Sequence, residues 1–216
     1  MLSGVILAGG HHRRMKGENR AFLLLEGRTL LERQISEMRT CCNEITIVAN
    51  DPQPFLRAVD RDIRIITDYY TDKGVLSGMH AGLALAQNQN VWVVGCHMPF
   101  PSADAAMLLQ AYKTDHVDAV IPWVDKGAFP LHGIYDRSCA GRIGEQLNEG
   151  DSYLSRFLNR LNWIELSETA FLAKGVGCHF TKTIHSPEDY YSLTNSFLQH
   201  EFELLYGGED TRNIGL

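Results

Sequence analysis

Four positively charged side chains follow a pair of glycines near the beginning of the chain. The glycines are Gly9 and Gly10, and the cations that follow are Arg13, Arg14, Lys16 and Arg20. Glycine lets the backbone pass close to a ligand and turn its N–H groups towards phosphate oxygens, and guanidinium groups form paired hydrogen bonds with phosphate. The segment therefore predicts a cradle for a triphosphate, against the simpler alternative of a solvated turn with incidental arginines.

Better-known phosphate and catalytic motifs are absent from the sequence. Neither the G-x-G-x-x-G dinucleotide motif nor the G-x-x-x-x-G-K-[ST] loop occurs, and the H-E-x-x-H metal motif is missing. Ser77 lies outside a G-x-S-x-G elbow. Cys96 and His97 are neighbours at the end of a predicted strand, where adjacent side chains point to opposite faces, so we interpret Cys96 as a core residue.

The overall charge and the cysteines limit the kinds of partner. The 216 residues carry a net charge of −6, which offers no general basic surface to nucleic acid or membranes. Five cysteines form an odd set without a C-x-x-C pair, a pattern typical of reduced thiols. No run approaches the roughly 20 apolar residues that cross a bilayer. We therefore expect a cytoplasmic monomer or weak homo-oligomer with no nucleic-acid or membrane partner.

Apolar runs alternate with helical patterns along most of the chain. The predicted strands cover residues 4–8, 44–49, 63–67, 91–95, 117–122, 129–135 and 162–166. Pro130 would place the sixth of these strands at a sheet edge or a bulge. Helices are predicted to begin where a capping residue precedes a helical pattern. These capping residues are Thr29, Ser77, Ser102, Asp151 and Ser186.

This alternation predicts an α/β protein in which helices cover both faces of a mostly parallel sheet, a three-layer, doubly wound arrangement. Ligands bind beyond the carboxyl ends of the strands in sheets of this kind, so the residues just after each strand are the candidates for function. We expect one domain over residues 1–206, followed by a polar tail over residues 207–216.

Several segments together resemble one family of enzymes. Leu7-Ala8-Gly9-Gly10, followed by Arg14-Met15 and then by Arg20, resembles the signature loop of the nucleotidyltransferases, and its Gly-Gly form resembles that of the molybdenum cofactor guanylyltransferases. Further resemblances follow in the family's order over most of the chain. They are Ala49-Asn50, Thr67-Asp68, the segments 74–78, 93–100 and 129–135, and the helix start at 186–189.

The resemblance implies a Rossmann-like nucleotidyltransferase fold and the transfer of GMP from GTP to molybdopterin, with release of pyrophosphate. It implies Mg²⁺, or Mn²⁺ in its place, as the metal ion, and molybdenum cofactor insertion proteins as partners. The catalytic positions that it assigns are Arg14, Arg20 and His97. The nucleotide-binding positions that it assigns are Leu7, Ala8, Gly9, Gly10, Arg14, Arg20, Asn50, Asp68 and Gly78. The acceptor is expected near Pro130, Leu131 and His132.

The sequence departs from the family pattern at the metal position, where His97 stands in place of an aspartate. Three interpretations are open: His97 binds a softer metal than Mg²⁺, contacts phosphate directly when protonated, or has no productive role. Arg20 replaces a lysine, and Thr183 and His185 stand where asparagines are frequent. The alternatives to guanylyl transfer are therefore a catalytically impaired nucleotide-binding relative with a regulatory role, and a transferase for another phosphorylated acceptor.

Overall fold

A computed structural model describes residues 1–9, 15, 17–71 and 73–206 of the chain. The strands are β1 (Leu2–Leu7), β2 (Leu24–Leu25), β3 (Arg28–Thr29), β4 (Cys42–Val48), β5 (Arg64–Ile66), β6 (Asn90–Gly95), β7 (Ala119–Val124), β8 (Gly127–Ala128), β9 (His132–Asp136) and β10 (Trp163–Ser167). The helices are α1 (Leu30–Met38), α2 (Gln53–Leu56), α3 (Val75–Leu85), α4 (Ala103–Tyr112), α5 (Cys139–Asn148), α6 (Leu154–Leu158), α7 (Glu168–Leu172) and α8 (Pro187–Tyr206). Short 3₁₀ helices cover Arg20–Phe22 and Cys178–Thr181.

The described residues form one eight-stranded sheet in the order β10-β7-β9-β6-β1-β4-β5, with β8 paired to β7. The pairs β1–β4, β1–β6, β4–β5 and β7–β10 are parallel, whereas β9 runs antiparallel between β6 and β7. β2 and β3 form a separate hairpin. The predicted α/β, mostly parallel, doubly wound sheet is confirmed.

Alternate residues of the central strand β1 pack into two hydrophobic cores, one on each face of the sheet. Leu2 and Ile6 pack into the core that includes α1 and α4, and Val5 and Leu7 pack into the core that includes α3 and α5. All four side chains are buried. Since successive side chains of a strand point to opposite faces, a strand with buried apolar side chains on both faces must be covered on both sides, which gives the three layers.

The predicted strand at 129–135 is displaced and lies elsewhere in the sheet than expected. The observed strand β9 begins at His132 and occupies an interior position, so the expectation of an edge or bulge from Pro130 was wrong. Pro130 precedes the strand, where its missing N–H removes no hydrogen bond from the sheet. Its carbonyl instead accepts a hydrogen bond of 2.8 Å from the hydroxyl of Tyr135.

Three of the predicted helix caps are confirmed by their hydrogen bonds. Thr29 and Glu32 form a reciprocal capping box at the start of α1. The Ser102 hydroxyl accepts from the N–H of Ala105 at 3.1 Å. The Ser186 hydroxyl accepts from the N–H of Asp189 at 3.2 Å, just before α8 begins. Each cap satisfies a backbone donor that the first helical turn leaves free.

Two of the predicted caps were wrong. α3 begins after Gly74, three residues earlier than predicted, and Ser77 is buried inside this helix, where its hydroxyl donates to the carbonyl of Tyr70. α6 begins after Tyr153, and Asp151 lies ahead of the cap, where its carboxylate accepts from the N–H of Tyr153 at 3.0 Å. In both cases the side chain forms a hydrogen bond with a nearby backbone group outside the helix and does not cap the first helical turn.

The expectation of one domain over residues 1–206 stays a prediction, and the tail at 207–216 lies outside the described residues. The main sheet takes strands from Leu2–Leu7 at one end of the sequence to Trp163–Ser167 near the other. Among the described residues, no helix has both the length and the apolar composition needed to cross a membrane.

We predict opposite effects on stability for alanine at two helical glycines. A Cβ atom at Gly82 of α3 would lie 2.5 Å from Cγ1 of Val5 in the buried strand β1, and overpacking of this kind costs about 1–3 kcal/mol. Gly82→Ala should therefore lower the free energy of unfolding, measured by urea denaturation. At Gly141 of α5 no described atom lies within 4 Å of an added Cβ. Gly141→Ala should raise stability by about 0.5–1 kcal/mol through helix propensity; equal effects at both sites would contradict the close approach of α3 to β1.

Candidate functional site

Four parallel strands end side by side at one edge of the sheet. Leu7 of β1 pairs with Val48 of β4 and Gly95 of β6, and Val48 pairs with Ile66 of β5. The residues two positions beyond these are Gly9, Asn50, His97 and Asp68. The register therefore brings four residues that were singled out in the sequence to one level, where they line a cleft of about 710 Å³. We call this the strand-end cleft.

The strand-end cleft collects most of the residues that the resemblance assigns to function. Those that line it are Leu7, Gly9, Arg20, Asn50, Asp68, Gly78 and His97. Ala8 is buried below the cleft, with its N–H donating to the carbonyl of Val48 at 2.8 Å. Gly10 and Arg14, together with Arg13 and Lys16, lie outside the described residues.

Gly9 lies close to the side chain of Asn50. A Cβ atom at Gly9 would overlap the side-chain oxygen of Asn50, so a larger residue at position 9 would displace the exposed Asn50 side chain from its present place in the cleft. Asn50 is exposed and lines the cleft. Its amide offers both donors and an acceptor to a ligand.

The amino end of α3 forms one wall of the strand-end cleft. Gly74 has a φ of 69°, in the left-handed region that favours glycine, and it turns the chain into the helix. Gly74, Val75 and Gly78 all line the cleft. A Cβ at Gly78 would lie 3.3 Å from Cδ2 of Leu7, so glycine lets the helix close tightly on the sheet. The free N–H groups and the dipole of such a helix end favour an anion nearby.

A buried glutamine fixes the loop that follows β6. The side-chain amide of Gln34, on α1, donates to the carbonyls of Gly95 at 3.0 Å and Met98 at 2.8 Å. The N–H of Cys96 donates to the carbonyl of Leu7 at 3.0 Å, and burial raises the pKa of the Cys96 thiol to about 11. Cys96 is therefore the inert core residue that the sequence predicts, and the loop holds the adjacent His97 at the cleft.

His97 is half-buried and lies beside a second imidazole. Burial lowers the pKa of His97 to about 4, with further lowering by the nearby charges of Arg20 and His185. This lowered pKa disfavours the protonated form that direct contact of His97 with phosphate would require. The rings of His97 and His185 have centroids 5.1 Å apart and planes inclined by 33°. The N–H of Ile184 donates to the carbonyl of His97 at 2.8 Å, which joins the two segments.

Arg20 brings a guanidinium group with unused donors to the cleft. It begins the 3₁₀ helix Arg20–Phe22, which Asn19 caps by accepting from the N–H of Ala21 at 3.0 Å. One terminal nitrogen of Arg20 donates to the carbonyl of Ile184 over a long 3.4 Å. The Nε atom is buried without a hydrogen-bond partner in the part of the chain that the structure describes. A buried donor without a partner is costly, and an anionic ligand in the cleft would satisfy it.

His132 does not reach the strand-end cleft. It is completely buried between the rings of Trp92 and Phe180, and its Nε2 accepts from the N–H of Ser102 at 3.1 Å. The nearby Leu131 does line the cleft. The expectation that the acceptor lies near His132 therefore fails for that side chain, which holds the start of α4 instead.

Two residues that serve the cleft were not recognised from the sequence. Gln34 looks like an ordinary helical residue, and only the finding that it is buried with two carbonyl partners reveals its part. His185 was noted only as a departure from the family pattern. Its proximity to His97 depends on a contact between segments 88 positions apart in the chain, for which the sequence contains no local signal.

The groups in the strand-end cleft suit a nucleoside polyphosphate. The guanidinium of Arg20 and the amino end of α3 favour phosphate oxygens, whereas Asn50 and Asp68 offer hydrogen-bond partners to a base or a ribose. Their position at the carboxyl edge of a doubly wound sheet is where such ligands bind. The fold and the cleft define a nucleotide-binding α/β protein.

Comparisons with known proteins identify the family. The profile of the MobA-like NTP transferase domain matches residues 4–165. A molybdenum cofactor guanylyltransferase from Desulfosudis oleivorans is 34% identical over 169 residues, which cover 77% of this chain and 81% of that relative. A probable molybdenum cofactor guanylyltransferase from Clostridium perfringens is 29% identical over 203 residues, which cover 93% and 94% of the two chains. The chain belongs to the MobA-like NTP transferase family.

Solved structures agree in fold. Molybdopterin-guanine dinucleotide biosynthesis protein A from Archaeoglobus fulgidus matches with a TM-score of 0.75 at 22% identity, covering 91% of this chain and 99% of that one. At this identity the likeness concerns the arrangement of the backbone. The family resemblance and the nucleotidyltransferase fold that the sequence predicts are both confirmed.

We predict that His132 makes stability depend on pH. Burial lowers its pKa to about 3, below the value of roughly 6.5 for an unfolded chain, so the folded state requires the neutral ring. Its contribution is complete above about pH 6.5 and is lost as the pH falls from there towards 3. Urea unfolding at pH 7 and pH 5 should show a smaller loss of stability for His132→Gln, which keeps an acceptor for Ser102, than for the parent. An unchanged pH dependence in the variant would show that other groups control it.

Proposed function

We propose that this chain transfers GMP from GTP to molybdopterin, forming the guanine dinucleotide cofactor and releasing pyrophosphate. The observation that carries the proposal is the convergence of Arg20, Asn50, Asp68 and the amino end of α3 in one cleft. Membership of the MobA-like NTP transferase family supports it. So do the names of relatives, which describe molybdenum cofactor guanylyltransferases.

In this proposal the triphosphate lies between Arg20 and the amino end of α3. The unpartnered Nε of Arg20 and its terminal nitrogens would donate to phosphate oxygens. Glycines at positions 9 and 10 would let the backbone approach the phosphates, and Arg14 would add a second guanidinium. Leu7 and Ala8 hold this loop by ending β1 and by bonding to β4.

The guanosine would lie towards Asn50, Asp68 and Gly78. Guanine presents two adjacent N–H donors on its Watson–Crick edge, and a carboxylate has two oxygens that accept them side by side. Asp68 lines the cleft and is half-buried, so its carboxylate would be partly shielded from competing water. Gly78 would leave room for the ribose or base against α3.

The chemistry of the proposed reaction is a displacement at phosphorus. An oxygen of the molybdopterin phosphate forms a bond to the α-phosphorus of GTP, the bond between the α-phosphorus and its bridging oxygen breaks, and pyrophosphate leaves with the electron pair. Catalysis of this kind depends on positioning and on neutralisation of charge. The residues of this chain that would do so are the guanidinium of Arg20 and the N–H groups at the start of α3.

The metal expected from the family fits the cleft poorly. Mg²⁺ prefers oxygen ligands, and among the described residues that line the cleft Asp68 is the one carboxylate. His97 and His185 offer imidazole nitrogens, which suit other metals. The described lining therefore offers too few oxygen ligands to hold Mg²⁺, or Mn²⁺ in its place, by protein groups.

The setting of the reaction is proposed on more general grounds. The five cysteines are free thiols, which suits the reducing cytoplasm. Proteins that insert the molybdenum cofactor are the expected recipients of the product. A monomer or weak homo-oligomer remains the proposed state.

A second function is favoured by one observation, the imidazole of His97 at the family's metal position. The chain would then bind GTP without transferring GMP and would act as a regulator. The two functions separate in an assay with labelled GTP and molybdopterin, run in parallel with Mg²⁺, Mn²⁺ and Co²⁺. We expect labelled dinucleotide and pyrophosphate in equal amounts. Binding of GTP without either product would favour the regulator, and transfer from CTP alone would contradict guanylyl specificity.

We predict that Arg20→Ala weakens the binding of GTP about 10- to 100-fold, because a hydrogen bond to a charged group contributes about 1.5–3 kcal/mol. Calorimetric titration with GTP measures the loss. Arg61→Ala is the matched control, since Arg61 is exposed and precedes the amino end of β5, away from the cleft. Equal affinities in the two variants would contradict the placement of the triphosphate.

We predict that Asp68→Asn reduces the preference for GTP over ATP and UTP. An amide provides only one acceptor oxygen, so one guanine N–H loses its partner. In a thermal-shift panel, a ligand at 100 times its Kd adds about 2.7 kcal/mol to stability, which makes the change measurable. Asp104→Asn, at an exposed position in the first turn of α4, is the control. A uniform loss for all three nucleotides would instead place Asp68 at the ribose.

A further inference from the structure

Two imidazoles from distant parts of the chain meet at the edge of the strand-end cleft. His97 follows β6 and His185 precedes α8, and both line the cleft. Their ring nitrogens have no hydrogen-bond partner within the described ranges of the chain. The N–H of Ile184 donates a hydrogen bond to the carbonyl of His97 and holds the two segments together, so the backbone itself places the two rings side by side.

The separation of the two rings matches that of two histidines bound to one metal ion. A first-row divalent metal lies about 2.0–2.1 Å from an imidazole nitrogen, and the ring centre lies about 1.1 Å further on. Two such ligands at a tetrahedral angle therefore have ring centres about 5.2 Å apart. The observed separation is 5.1 Å. The ring centres therefore already lie at the separation of a chelating pair. Because the Cε1–Nδ1 edge of His97 lies near Gly95, binding would use the Nε2 atom of this ring, turned towards the shared ion.

Among the described residues, His97 and His185 find no third protein ligand for a metal ion. In residues 1–9, 15, 17–71 and 73–206, no group of three or more His, Cys, Asp or Glu side chains is arranged to hold a metal. A tetrahedral ion bound by two imidazoles therefore has two positions left for other ligands. The cleft that the rings border is the proposed place of a triphosphate, whose oxygens would fill these positions.

Charge makes the nucleotide a requirement for the metal. Arg20 and Asp68 line the same cleft as the two rings, so the described lining offers no net negative charge to a bare divalent cation. A bound triphosphate supplies this negative charge. Metal and nucleotide should therefore bind together, each raising the affinity for the other.

We propose that His97 and His185 bind a borderline divalent metal ion, of the class of Zn²⁺ and Co²⁺, jointly with phosphate oxygens of the bound nucleotide. This rests on the proposed function for the source of the phosphate. Imidazole suits metals of this class, whereas Mg²⁺ strongly prefers oxygen. The chain thus replaces a carboxylate site for a hard cation with a nitrogen site for a softer one.

The visible absorption of Co²⁺ provides a test that does not depend on activity, since a four-coordinate Co²⁺ ion absorbs far more strongly than the aqueous ion. Co²⁺ is titrated into the full chain with and without GTP. We expect a strong band only when GTP is present, with excess Mg²⁺ unable to remove it. His97→Ala and His185→Ala should each weaken Co²⁺ binding about tenfold or more. His116→Ala, at an exposed histidine that is not part of the cleft, should leave the band unchanged.

Two further measurements keep the outcome decisive. Calorimetry with GTP in the presence of a chelator shows whether each variant still binds nucleotide, and thermal unfolding shows that it is folded. If GTP itself does not bind, the same titration with inorganic triphosphate supplies the phosphate oxygens and tests the metal site independently of the proposed function. His97→Asp should shift the preference from Co²⁺ towards Mg²⁺. A band of equal strength in the parent and both alanine variants, or no band beyond that of Co²⁺ and GTP in solution, would overturn the proposal.

Discussion

Hydrogen-bond register between parallel strands determines where the candidate site lies. Leu7, Val48, Ile66 and Gly95 are aligned across four strands. The loops that follow these four strands therefore begin side by side, and residues that are far apart in the sequence become neighbours in space. A shift of one residue between two paired strands would move every side chain of one strand to the opposite face of the sheet. Because both faces are buried, the packing of side chains in the two cores fixes the register.

The cleft also depends on close approaches at glycine positions. Gly78 and Gly82 lie on α3 and face Leu7 and Val5 of β1, which brings the amino end of this helix close to the strand ends. Gly9 makes room for Asn50 in a similar way. On the other face of the sheet, Gln34 ties the loop after β6 to α1 through two hydrogen bonds. The functional loops are thus positioned from both layers of helices.

The sequence predicts the strands and the residues after them well because buried parallel strands are short apolar runs with distinct ends. Helix α5 was missed because two glycines interrupt its pattern and no side chain caps its start; tertiary packing of Ile143 and Leu147 overrides its weak local preference. The interior position of β9 was also missed, because the sequence contains no local signal for pairing between strands that are distant along the chain. The site residues at or just after the ends of β1, β4, β5 and β6 could be predicted from the sequence. The site residues contributed by α1 and by the segment before α8 could not.

The histidine at the family's metal position changes the charge balance of the cleft as well as its ligands. A carboxylate there would repel a triphosphate until a cation bound, so nucleotide and Mg²⁺ would have to compensate each other. With His97 neutral and Arg20 close by, the described part of the cleft offers a positive group, a helix amino end and one carboxylate. A bound triphosphate would supply the negative charge that this lining lacks, so in the proposed site the phosphate groups would be among the ligands of the metal.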